Sequence, residues 1–267
     1  MDNPLIAILI TTFLRDTLLY KTIQSIIDNY PPNCLILIAD QGYASDKKNE
    51  EISYYQSQIP LKYYQLPFDC GLSYARNYLI EQAVNMNIPY ILMSADSIQF
   101  IQRYNFEPYI NTLKNNLDIG IIGFELLGSK CLWEFNLEIT INGILIKSSN
   151  EFIEYHNIKY KKVDICRNIF LAKTESVILL YDIEMKLCEH ELAFLEYKKR
   201  GYSVLWTDSL IFKKSNAITS DEYQTYRKRL SEYQQLFKQK LNITGWVKYS
   251  PDAMKEIKEY KKLHKIR

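Results

Sequence analysis

The chain has 267 residues, 47% of them hydrophobic, which suits one large α/β domain or one domain with an appendage. Its net charge of +2 supplies no global field, so no nucleic-acid partner is expected. Five scattered cysteines without a CxxC pair read as reduced, packed thiols of a cytoplasmic protein, and three histidines without HxxxH spacing argue against a zinc site.

The opening "PLIAILITTFL" is apolar, but no basic region precedes it and no small-residue cleavage site follows, so no signal peptide is expected. At about eleven residues it is also too short to span a bilayer. Residues 5–13 read as a parallel strand buried on both faces. Leu18, Leu19, Ile23, Ile26 and Ile27 then fall at helical spacing, with Asp16 as the expected N-cap and Pro31-Pro32 as the stop. "CLILIAD" (34–40) is a second core strand, and it ends in a carboxylate. A polar segment leads to a short strand near 61–66, a helix over 71–87, and the strand "YILMSAD" (90–96). This alternation predicts a mostly parallel sheet with helices on both faces.

Ligands of such sheets sit outside the carboxyl ends of the strands. Thr11, Thr12, Asp40 and Asp96 all fall there. A lone aspartate after a strand is ordinarily a turn or a helix cap. Three polar strand ends in register point instead to a site.

The middle, 101–165, is less regular, with strands over 119–126 and 137–147 and a turn at Asn142-Gly143. A helix is expected from Glu189 to Arg200, with Gly201 as its C-cap and "YSVLW" as the next strand. The tail, 221–267, carries two amphipathic basic helical patterns separated by "NITGWVKYSP". A solvated helical face is the default reading, and adhesion to an anionic membrane surface is the functional alternative.

In this order the landmarks resemble the nucleotide-sugar-dependent glycosyltransferases of family 2, which have the GT-A fold. "ILITTFLRDTLLYKTIQSI" is similar to that family's first strand and helix, which implies Thr11, Thr12 and Arg15 on the nucleotide donor. "LIAD" resembles the second strand, whose acidic residue, here Asp40, holds the base. "DCGLSYARN" (69–77) resembles a Gly-x-x-x-Ala-Arg-Asn segment and implies donor contact by Arg76. From the residues alone, Arg76 and Asn77 could equally anchor the loop to the helix, and Asp69 is a cap or a ligand. "VDICRNIFLAKTE", "MKLCEHELAFLEYKKRGYSV" and "LIFKK" resemble the acceptor half of a subgroup with Glu-His in place of Glu-Asp. The resemblance covers roughly residues 5–215. It implies a GT-A domain over 1–218, with a nucleotide-sugar-binding half over 1–100, an acceptor half over 101–218, and a helical C-terminal extension over 219–267.

The family usually places Asp-x-Asp at the end of the fourth strand to hold Mn²⁺ or Mg²⁺ against the donor diphosphate. Here the triplet is Ser94-Ala95-Asp96, so one carboxylate of the pair is absent. A histidine that often completes the metal shell aligns with Lys213. The resemblance therefore implies a weakened metal site. In one reading Ser94 or water fills the vacant position and the metal binds through Asp96 and the diphosphate. In the other, Lys213, with Lys214 or Arg76, supplies the positive charge to the departing nucleotide.

Transfer with inversion needs a base for the acceptor hydroxyl. The family's aspartate corresponds by position to His190, with Glu189 and Glu191 on either side, and any of the three could serve. The plain alternative is an acidic helix start favouring the dipole. Trp133 and Glu134 fall where an acceptor platform could lie, although a core tryptophan reads equally well. Arg167 and Asn168 are weaker candidates. The expected activity is inverting transfer from a nucleotide diphospho-sugar, UDP-linked, to a hydroxyl of a glycan or glycoconjugate. The rival is a nucleotide-sugar-binding module that has lost catalysis and acts as a partner or regulator.

Overall fold

The computed structural model describes residues 4–129, 131–215 and 220–264. In chain order the first half runs β1 (Ile6–Thr12), α1 (Asp16–Asp28), β2 (Cys34–Asp40), α2 (Asp46–Gln58), β3 (Leu61–Gln65), α3 (Leu72–Asn85) and β4 (Tyr90–Ala95). The middle adds β5 (Ile98–Gln99), α4 (Glu107–Asn115), β6 (Ile119–Leu127), β7 (Asn136–Thr140), β8 (Gly143–Lys147), β9 (Phe152–Tyr155), β10 (Ile158–Val163) and β11 (Phe170–Lys173). After a short 3₁₀ turn at Thr174–Val177 come α5 (Glu189–Lys199), β12 (Ser203–Lys214), α6 (Asp221–Arg227), α7 (Leu230–Leu241), β13 (Val247–Tyr249) and α8 (Pro251–Leu263).

Among the described residues, ten strands form one sheet in the order β3-β2-β1-β4-β11-β6-β12-β10-β9, with β5 paired to β12. β1 lies parallel to both β2 and β4, so Thr12 is level with Asp40 and Thr11 with Ala95. Every residue of β1 is buried, as expected for a strand covered by helices on both faces. One core, around Leu9, Leu79, Met93 and Phe170, lies on the α3 side. The other, around Ile8, Ile23, Leu92 and Phe124, lies on the α1 side. Together they sandwich the sheet.

Several elements differ from the sequence reading. Arg15, not Asp16, occupies the N-cap of α1, and Asp16 enters the first turn, where it pairs with Lys48 Nζ at 2.9 Å. β11 runs antiparallel between β4 and β6. Its four residues are all buried, so it shows no alternation that a strand pattern would reveal. α4, β9 and β10 organise the stretch that the sequence left irregular. The expected hairpin at 137–147 is present, turning into Gly143 at φ +129°.

The first tail pattern breaks into α6 and α7 at Lys228-Arg229, and "NITGWVKYSP" contains β13, which adds a parallel strand to β8. Phe237 of α7 is fully buried in the α3-side core, as is Ala253 of α8. α6, by contrast, contributes no buried residue. No helix among the described residues is long and apolar enough to cross a membrane. Phe237→Ala is expected to cost ~3–5 kcal/mol in urea unfolding while keeping a single transition. A loss below ~1 kcal/mol would mean that the tail docks without joining the core.

Candidate active site

Asp96, one residue past β4, is fully buried. Arg15 embraces it, with Nε donating to Oδ2 at 3.0 Å and Nη2 donating to Oδ1. Thr12 Oγ1 donates to the same Oδ2 at 2.8 Å, and Thr22 Oγ1 donates to the Asp96 carbonyl at 2.8 Å. Burial pushes the Asp96 carboxyl up, and the Arg15 guanidinium opposes that.

Asp40 is also fully buried. Its Oδ1 accepts from the Gly42 N–H at 2.7 Å, and its Oδ2 accepts from Lys48 Nζ and Tyr63 OH, both at 2.8 Å. Both oxygens are thus engaged inside the protein. The next residue, Gln41, faces the cleft instead and accepts from the Gly71 N–H at 2.7 Å.

The cleft lies between the ends of β1 and β4, the start of α3, and the tail. Thr11, Thr12, Arg15 and Ala95 form one wall, and Gly71, Arg76 and Lys186 form another. Tyr223, Tyr226 and Arg227 of α6, with Arg229, cover it. The cover is held by aromatic edges: Phe13 meets Tyr226 at 5.0 Å, and Phe68 meets Tyr226 at 5.7 Å. The Arg15 guanidinium lies over the Tyr223 ring at 5.0 Å. Asp69, at φ +51°, accepts from both Arg229 Nη atoms at 2.9 and 2.8 Å and from Lys186 Nζ at 3.0 Å. The enclosed space is about 110 Å³.

Gly71 is required at its place. It caps α3 at φ +100°, and an added Cβ would stand 2.6 Å from Lys186 Cγ.

Ser94 does not reach this cleft. Ala95 lines the cleft but Ser94 does not, and the Ser94 Oγ is buried without a partner. Lys213 is exposed on β12 opposite Gln99 and is not part of the lining.

A divalent cation of the kind the fold family uses does not fit this donor set. Both Asp96 oxygens are taken by Arg15 and Thr12, and Ser94 does not line the cleft. Among the described residues, no group of three His, Cys, Asp or Glu side chains could hold a metal.

The second half of the site is the start of α5. Cys188, in the left-handed region at φ +60°, turns the chain so that three consecutive polar residues open the helix. Glu189 is buried against Arg76, whose Nη1 donates to it at 2.7 Å. Arg76 also stacks over the Tyr181 ring at 4.9 Å. It lines the cleft while holding Glu189, so it joins the two halves.

His190 is wedged edge-on between Trp133 at 4.8 Å and Phe194 at 5.1 Å. Burial, then the nearby Arg76 charge, depress its pKa to about 3, and its Nδ1 has no partner. Glu191 is raised to about 7, by burial first and by the Glu189 charge after it. Its carboxyl is the one at this helix start with a pKa near neutrality.

Trp133 packs on His190 as described, and its backbone N–H donates to Glu134 Oε2 at 3.0 Å. Glu134 is almost fully buried in an ion pair with Arg167 Nε at 3.0 Å, and Arg167 also bonds Glu125. Glu134 is therefore an interior partner of Arg167 rather than an open acceptor contact.

The structure brings Thr11, Thr12, Arg15, Arg76, Asp96 and the 189–191 cluster to one rim of the sheet. It leaves Ser94 and Lys213 outside. Sequence reasoning missed Gln41, Lys186, Tyr223, Tyr226, Arg227 and Arg229. The tail residues could have been suspected from the aromatic-basic run "YQTYRKRL", which a solvated helix does not need.

The family model described as "Glycosyl transferase family 2" matches residues 7–177. No curated protein matches the chain. Among solved structures, S. aureus TarS 1–349 in complex with UDP-GlcNAc aligns with a TM-score of 0.61 at 12% identity, over 94% of this chain and 69% of that one. In another TarS 1–349 structure the chain spans 60% of its length. GalNAc-T7 with UDP, GalNAc and Mn²⁺ aligns at 0.59 and 12% identity, over 97% of this chain and 55% of that one. The Pyrobaculum calidifontis mannosyltransferase PcManGT with GDP-Man and Mn²⁺ gives 0.57 and 12%, over 98% and 70%. At such identities the likeness shows the fold, which is GT-A. With the family model covering more than half its length, the chain belongs to glycosyltransferase family 2.

Proposed function

We propose that the chain is an inverting glycosyltransferase that moves a sugar from a nucleotide diphospho-sugar to a hydroxyl of a glycan or glycoconjugate. One observation carries this reading. A cation-lined cleft at the strand ends connects, through the Arg76–Glu189 bridge, to a helix start holding a carboxyl poised near neutral pH. A UDP-linked donor is the first choice, since TarS and GalNAc-T7 were solved with UDP-GlcNAc and UDP respectively.

In this mechanism Glu191 takes the proton of the acceptor hydroxyl as that oxygen attacks the anomeric carbon. The bond from that carbon to the diphosphate oxygen breaks on the opposite face, which inverts the centre. The departing nucleoside diphosphate keeps the electron pair, and the cations of the cleft stabilise its charge. Arg76 is a positioning residue for Glu189, and His190 is a neutral wedge under the acceptor side. A base with a pKa of about 3 would be far too weak to act near neutrality, which favours Glu191 over His190. The exposed lysines of α8 (Lys255, Lys258, Lys261 and Lys262) supply a surface for peripheral contact with an anionic membrane.

The incomplete carboxylate pair at Ser94-Ala95-Asp96 favours a second reading, a binding module without turnover. Release of nucleoside diphosphate from a UDP-sugar, abolished by Glu191→Gln in a folded protein, decides for the enzyme. Binding with no turnover across a panel of sugar acceptors decides for the module.

Two pH experiments follow. Glu191 ionises above about 7, so kcat/KM rises with pH through that value and then levels off. Glu191→Gln lowers kcat by ~10²–10⁴-fold and removes that limb. A limb that survives in Glu191→Gln would assign the base elsewhere. His190 has a folded pKa depressed from 6.5 to about 3, so its contribution to stability is complete above 6.5 and is lost as pH falls toward 3. Urea unfolding between pH 7 and 4 should show this loss, and His190→Phe should remove that part of the slope. An unchanged slope would show that His190 titrates alike in the folded and unfolded protein.

A further inference from the structure

Charge accounting around the cleft gives an imbalance. Five cations line it: Arg15, Arg76, Lys186, Arg227 and Arg229. Three carboxylates answer them. Arg15 is paired with Asp96, Arg76 with Glu189, and both Lys186 and Arg229 with Asp69. Arg227 makes no ion pair or hydrogen bond among the described residues. The site therefore carries two positive charges in excess, in a partly enclosed space where screening by solvent is reduced. The diphosphate diester of a nucleotide sugar is a dianion.

We infer that the donor diphosphate is held without a divalent cation, by Arg227 and Arg229 brought from the C-terminal segment and Lys186 on the facing wall. The inference rests on the reading of the cleft as a nucleotide-sugar site. Two arrangements support it. First, the carboxylates that a cation would need are consumed: Asp96 by Arg15 and Thr12, and Asp69 by Arg229 and Lys186. Second, planar guanidinium groups match phosphate oxygens in pairs, so arginines suit a diphosphate better than scattered lysines do.

The enclosed volume of about 110 Å³ is well below the ~300–1,000 Å³ of ordinary small-molecule sites. Donor entry therefore requires α6 to move outward. Nothing in α6 is buried, so that movement breaks aromatic edge contacts and the Tyr43–Glu222 hydrogen bond but opens no core. On return, Arg227 meets the diphosphate beside Arg229 and Lys186, which stay bonded to Asp69. Donor binding and closure of α6 are then one event.

Isothermal titration of the full chain with UDP, GDP and uridine tests this, in EDTA and in Mn²⁺. The expected result is UDP or GDP binding in EDTA within about threefold of that in Mn²⁺. Arg227→Ala weakens diphosphate binding ~10–100-fold in EDTA, and Arg227→Lys recovers part of it. Uridine, which has no phosphate, binds both proteins alike, which separates lost charge from a disturbed fold. Arg227 is exposed, so the substitution leaves the core intact. Binding abolished by EDTA and restored by Mn²⁺ overturns the inference while leaving the transferase reading in place. Unchanged UDP affinity in Arg227→Ala also overturns it. Failure of both UDP and GDP to bind in either condition overturns the nucleotide-sugar reading itself.

Discussion

The buried pair of Arg15 and Asp96 governs the architecture of the site. Arg15 stands at the N-cap of α1, and Asp96 follows β4, so their contact ties the first loop to the end of a strand eighty residues further on. A carboxylate with no exposure needs such a partner, because an unpaired buried charge costs several kcal/mol. Thr12 and Thr22 complete its hydrogen bonding. Once Asp96 is satisfied from within, it is no longer a free ligand. The cleft above it then presents guanidinium groups rather than carboxylates. The pair itself is neutral, so the positive excess that a ligand meets comes from Lys186, Arg227 and Arg229.

A similar economy operates at α5. Three consecutive polar residues point in three directions around a helix, because each step turns by about 100°. One is neutralised by Arg76, one is forced neutral by aromatic neighbours, and one is left with a pKa near 7. Burial alone would raise every carboxyl here. Arg76 instead gives Glu189 an ion-pair partner, while Glu191 is raised by burial and then by the Glu189 charge. Two neighbouring carboxyls thereby stand in different environments, the arrangement expected where one must accept a proton.

The parallel frame was legible because β1, β2 and β4 are continuous apolar runs separated by strong helical spacing. The polar strand ends were legible for the same reason, since register follows from the runs themselves. β11 was not, because a four-residue strand buried on all sides leaves no periodic trace. Side-chain direction was the weaker level of inference. Ser94 and Lys213 share the right neighbourhood in sequence, yet one is buried outside the cleft lining and the other is exposed to solvent. Asp40 reads as a ligand from its position alone, but Lys48, Tyr63 and Gly42 claim both oxygens through contacts that no local pattern announces. The arginines of the tail were missed because the aromatic-basic run "YQTYRKRL", although unusual for a solvated face, does not say which distant loop it covers.

The tail divides its labour along its length. α7 and α8 are committed to the core through Phe237, Ala253 and Tyr260, so their position is set by folding. α6 sits at the mouth on ring edges and the Arg15–Tyr223 stack, contacts worth ~0.5–1.5 kcal/mol each, and its position is set by what it touches. A cation fixed in the core would present its charge to solvent at all times and would bind any anion that diffused in. A cation carried on a lightly held helix is presented only when the mouth closes. Closure requires the aromatic edges of Phe13 and Phe68 to be covered again. Anion binding is then coupled to the fit of the rest of the ligand beneath those rings, and a bare phosphate gains less from the same arginines than a nucleotide that fills the space.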